Sequence, residues 1–187
     1  MKRVITLILL GLVAGCGSQV TPNQVNLPPD ALNYGGIGAG YSAIDFAAYV
    51  FADPARARGR PGAAAGAVAS LEYMASDMPG NPRWVIISPL VLDDLVRARA
   101  EVRNALGISQ AVPAQTVVDG LLASARGLDK RDDAAVRAAL QPPVFTWGPD
   151  RTVERLANMP YLQIANSATL RASQQQYEHN DHCFLCR

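Results

Sequence analysis

The chain has 187 residues, 49% of them hydrophobic and 18% charged, and its 17 basic and 16 acidic side chains leave a formal charge of +1 at neutral pH. That length and apolar content suit one domain around one core. The near-balance of charge speaks against both an acidic disordered tail and the clustered positive field that a nucleic-acid partner requires.

The first sixteen residues are Met1-Lys2-Arg3, an apolar run from Val4 to Leu12, and then Val13-Ala14-Gly15-Cys16. A basic start followed by a short apolar stretch is the pattern of a secretory signal. As a helix, Val4 to Gly15 would reach only about 18 Å, against roughly 30 Å for the hydrocarbon core of a bilayer. The segment resembles the signal peptide of bacterial lipoproteins, whose lipobox reads aliphatic, small, small, cysteine; the resemblance covers residues 1–16 and no more. It implies cleavage after residues 1–15 and covalent lipid on Cys16, which anchors the chain to a membrane on the periplasmic side of the envelope. Gly17 stands where an aspartate would favour the inner membrane, so the resemblance implies the outer membrane, with the inner as alternative. Each buried CH₂ contributes about 0.8 kcal/mol, so several acyl chains on one cysteine hold firmly where one holds weakly.

Residues 16–40 read as the lipidated cysteine and a flexible tether. Pro22, Pro28, Pro29 and the run Gly35-Gly36-Ile37-Gly38-Ala39-Gly40 show neither helical nor alternating apolar period. Residues 41–177 read as a helical domain. Its first helix starts at Ser42-Ala43-Ile44-Asp45, a capping-box-like opening, and turns Ile44, Ala47, Ala48 and Phe51 inward. Gly59-Arg60-Pro61-Gly62 interrupts, and a second helix runs from about Ala63 to Ser76 with Val68, Leu71 and Ala75 inward. Trp84-Val85-Ile86-Ile87 is strand-like but too isolated to build a sheet.

The third helix carries the most signals. Ser88 stands at N-cap, Pro89 at N1, Ile87 and Leu92 at the staple positions, and Gly107 with Ile108 at the stop. Val91, Leu95, Ala98, Val102, Ala105 and Leu106 fall within an arc of about 100°, with Arg97–Glu101 as an i,i+4 pair outside it. A fourth helix spans Pro113 to Ala125, ended by Gly127. A fifth is capped by Asp129 or Asp132 and stopped by Gln141-Pro142-Pro143. A sixth covers Arg151 to Asn158, and a seventh Tyr161 to Gln175. The expected fold is an all-α, irregular bundle of six or seven short helices.

Residues 178–187 form a tail that holds both histidines and both remaining cysteines: His179, His182, Cys183 and Cys186. Were the last helix to continue, His179, Cys183 and Cys186 would share a face, a ligand set suited to Zn²⁺ or Cu(I). A Cys183–Cys186 disulfide competes with that reading, as does an inert terminus. Arg187 follows the second cysteine, where haem attachment would need histidine.

No G-x-S-x-G, H-E-x-x-H or G-x-x-x-x-G-K-[ST] motif occurs. Asp93-Asp94 and Asp132-Asp133 fit helix-start electrostatics, Arg56, Arg58 and Arg60 a solvated loop, and Trp84 and Trp147 core packing. The expectation is a structural or protein-interaction role in the bacterial envelope, with an envelope protein as partner and no cofactor beyond the lipid. The alternative is a metal-binding or redox lipoprotein that uses the C-terminal cluster.

Overall fold

The computed structural model describes residues 25–28 and 38–184, with side chains as far as His179. The signal segment, Cys16, most of the tether and Cys186 lie outside the described residues. Among the described residues the fold is all-α. Its helices are α1 (Ala39–Ala52), α2 (Pro61–Asp77), α3 (Pro89–Leu106), α4 (Ala114–Lys130), α5 (Asp133–Ala139), α6 (Gly148–Ala157) and α7 (Gln163–Phe184). Short 3₁₀ turns cover Pro54–Arg56 and Pro82–Trp84, and one antiparallel bridge joins Ile108 to Phe145.

Helix α2 is the axis of the bundle, packed against α1, α3, α4 and α6. Its alanine-rich sequence explains the position: small side chains on every face let neighbours close in from every side. Each residue from Ala64 to Asp77 is buried. Pro61 and Gly62, read as a break, instead form its first turn, because proline at N1 has no N–H to leave unsatisfied.

The apolar stripe of α3 is as expected. Val91, Leu95, Ala98, Val102 and Leu106 are all buried, and Ala105, the sixth residue of that stripe, is half-buried against the core. Gly107 ends the helix in the left-handed region at φ 66°, and the Ile108 N–H reaches back to the Arg103 carbonyl at 2.8 Å. Gly107 also lies against the Trp147 ring, where any Cβ would collide.

Other expectations are corrected. The strand-like run 84–87 is a turn, with Ile87 N–H bonded to the Trp84 carbonyl at 2.9 Å. Trp84 and Ile87 point inward while Val85 is 83% exposed, an i,i+3 pattern rather than alternation. Helix α1 begins at Ala39 with Gly38 before it, so Ser42 lies inside the helix and does not cap it. A Cβ on Gly40 would approach the Trp84 ring to 2.8 Å, so the supposed end of the tether is a packed helical turn. Val25 is buried as well, and Asn26 exchanges two hydrogen bonds with the Gln115 side chain. The tether is therefore fixed to the domain at residues 25 and 26.

Helix α4 runs through Gly127, which is there because Val136 of α5 packs onto it, and stops at Arg131 with φ 56°. Asp132, not Asp129, caps α5, accepting from the Ala135 N–H at 3.0 Å. Ser88 caps nothing with its side chain; it instead exchanges bonds with Gln175 of α7. Arg97 pairs with Asp94 rather than Glu101. Glu101 accepts from the Ile164 and Ala165 N–H groups, filling the open N-terminus of α7 from a different helix. Asp94 is buried and also takes Arg171 of α7, so it is a clasp between helices rather than a first-turn charge.

Candidate functional site

A cleft of about 910 Å³ opens between α1 and α7 and extends beyond the C-terminal end of α1. Helix α1 supplies Asp45, Phe46, Ala48, Tyr49 and Ala52; α7 supplies Leu170, Ser173 and Tyr177; the following turn and loop supply Arg56 and Arg60. The sequence builds this cleft because both helices have small residues where they cross. Ala43, Ala47, Ala168 and Ala172 are fully buried, while Tyr49, Leu170 and Tyr177 at the rim stay 44–53% exposed.

Asp45 is held by α7. Its carboxylate accepts from the Ser173 hydroxyl at 3.2 Å, the Gln176 amide at 3.4 Å and the Tyr177 hydroxyl at 3.1 Å. The bond to Asp45, and then its negative charge, push the Tyr177 hydroxyl above the ordinary tyrosine value. Gln176 turns its N–H₂ toward the carboxylate, and its buried Oε1 has no hydrogen-bond partner among the described residues. At the other end, Arg56 stacks over the Tyr49 ring at 4.4 Å and donates to the Tyr49 carbonyl at 2.7 Å. Arg60 donates to the Arg56 carbonyl. The cleft thus has a fixed carboxylate toward one end, two guanidinium groups at the other and an apolar floor between.

The other ionic groups in the interior are structural. Glu72 and Arg103, 1% and 3% exposed, form a two-pronged pair with both contacts at 2.7 Å. Arg103 also donates to the carbonyls of Ser109 and Val112, each at 2.9 Å, and so ties the loop after α3 to α2. Asp77 accepts from Trp84 Nε1 and the Asn81 amide, each at 3.1 Å, and its charge acts on the Tyr73 hydroxyl. Burial, and then the neighbouring Asp77 charge, push Tyr73 well above its ordinary value. These groups are spent on one another inside the protein.

The residues singled out in the sequence fare differently. Arg56 and Arg60 enter the cleft, while Arg58 is exposed and does not line it. Trp84 is buried; Trp147 is 36% exposed and lies beneath Arg151 and Arg155, which corrects its expected place in the core. Helix α7 continues to Phe184, nine residues past its expected end at Gln175, so the separate tail at 178–187 begins as helix. The exposed His179 and residues 182 and 183 therefore lie on one helical backbone. The side chains of His182 and Cys183, and all of Cys186, lie outside the described residues, so neither the ligand set nor the disulfide is placed. Among the described residues no three His, Cys, Asp or Glu side chains cluster to hold a metal ion. No helix among them is long and apolar enough to cross a membrane.

Sequence reasoning missed Asp45 and Tyr177 as a pair. The positions are 132 residues apart, and only the crossing of α1 and α7 brings them together. In comparisons with protein families, curated proteins and solved structures, no match was found.

Proposed function

We propose that the protein is a lipid-anchored helical module of the bacterial envelope, held by Cys16 on the periplasmic face of the outer membrane, with a structural or interaction role. The observation that carries the reading is Val13-Ala14-Gly15-Cys16 after a basic start and a short apolar run. The working surface is the cleft between α1 and α7. Supporting this, the buried ion pair Glu72–Arg103 is taken up by internal partners, whereas Tyr49, Leu170 and Tyr177 face outward. Mass spectrometry of protein taken from membranes tests the anchor. The expected result is an acylated Cys16 at the mature N-terminus, abolished in Cys16→Ser; an unmodified N-terminus at another residue refutes it. Cross-linking and pull-down from solubilised envelopes tests the role through recovery of an envelope partner.

A second reading, metal binding at the C-terminus, gains one observation. Helix α7 reaches Phe184, which sets positions 179 and 183 one turn apart on the backbone. Elemental analysis of untagged protein tests it. A stoichiometric zinc or copper content, lost on deleting residues 179–187, favours this reading.

A further inference from the structure

We propose that the cleft between α1 and α7 binds one single-chain amphiphilic anion, with its acidic head at Arg56 and Arg60 and its hydrocarbon body along Ala48, Ala52 and Leu170. The proposal rests on the reading of this cleft as the working surface, and not on the lipid anchor.

Size is the first argument. A volume of about 910 Å³ falls within the ordinary range of small-molecule sites, about 300–1,000 Å³. The cleft is concave between two helices, so it suits a single extended molecule better than a flat bilayer surface. Charge is the second argument. A guanidinium has five N–H donors, and the contacts of Arg56 and Arg60 with the Tyr49 and Arg56 carbonyls occupy one nitrogen on each. Their remaining donors match the oxygens of a phosphate or carboxylate head. Tyr49 orients Arg56 by stacking against it, so less freedom is lost when a head group binds.

Asp45 sets the polarity. It lies about 10 Å along α1 from Ala52, at 1.5 Å per residue, and Ser173, Gln176 and Tyr177 fix it in place. An anionic head is repelled there and attracted at the arginines, so the ligand has one orientation. Between the two ends, Phe46, Ala48, Ala52 and Leu170 offer apolar surface that a hydrocarbon chain covers.

The test uses the full chain carrying Cys16→Ser, so that no covalent lipid competes for the cleft. Calorimetric titration with monomeric dodecyl phosphate should show saturable one-to-one binding. Inorganic phosphate and dodecyltrimethylammonium should not bind, because the first lacks the chain and the second reverses the charge. Arg56→Ala should weaken binding about tenfold or more, equivalent to about 1.4 kcal/mol. Leu170→Glu, at a 44% exposed position where a new charge leaves the fold intact, should weaken it at least as much. Circular dichroism confirms that both variants are folded. Absence of saturable binding, equal binding of the cationic amphiphile, or unchanged affinity in the two variants overturns the proposal. So does binding to phosphatidylglycerol vesicles without binding to the monomer, which would make the arginines a membrane contact. Lipidation of Cys16 in the wild-type protein is read separately by mass, so either idea can fail without the other.

Discussion

At the scale of single residues, the interior contains a few polar groups whose loss should be costly. Breaking a buried ion pair from one side strands the other charge and costs about 3–5 kcal/mol. Arg103→Met should destabilise by about that much in denaturant unfolding, since it leaves Glu72 buried and also releases the Ser109 and Val112 carbonyls. Replacing both partners with apolar residues should recover only part of the loss, because those carbonyls stay unpaired. Tyr73 gives a pH signature. Its folded value is raised, first by burial and then by Asp77, so its stabilisation is complete below the unfolded value of about 10 and is lost as pH rises past it. Between about pH 9 and 12 the wild-type melting temperature should fall more steeply than that of Tyr73→Phe. Parallel curves would show that Tyr73 does not drive the alkaline loss.

At the scale of elements, α3 separates an inward from an outward position two residues apart. Leu95 is fully buried, so Leu95→Asp should unfold the domain or cost about 3 kcal/mol or more, from the cavity it opens and the carboxylate it buries. Arg97 has a side chain 65% exposed and pairs with Asp94, so Arg97→Ala should cost less than about 1 kcal/mol. Thermal melts distinguish the two, and equal small shifts would put the helix face elsewhere. At the end of the same helix, Gly107→Ala should be more damaging than an ordinary helix-stop substitution. The new methyl meets both a left-handed φ of 66° and the Trp147 ring. The companion change Trp147→Ala should relieve part of that loss, which a double-mutant cycle measures.

At the scale of the whole molecule, α7 closes the bundle. It packs on α1 and α3, and polar clasps hold it to α3, among them Ser88 with Gln175, Asp94 with Arg171, and Glu101 at its N-terminus. The last buried side chain along α7, among the described residues, is Gln176. Deleting residues 179–187 should therefore leave the helical signal and melting temperature nearly unchanged. A large loss of stability would show that the terminal turns of α7 carry packing energy beyond that point.

The sequence alone determined the all-α class, the helix order and the inward faces of α1 and α3, because helical period, prolines at N1 and glycine stops act within a few residues of one another. It did not determine which polar groups meet. Arg97 had Glu101 within reach on its own helix, yet Glu101 serves the open N-terminus of α7, 63 and 64 positions away. Val25 shows no period with its neighbours and is nonetheless buried. Gly127 carries every local sign of a helix stop but lies inside α4 against Val136. The cleft itself has no local signature, since Asp45, Arg56 and Tyr177 come from three separate elements. Only tertiary packing decided these points, because a buried donor, charge or cavity is satisfied by whatever the fold places beside it, however far away in the chain.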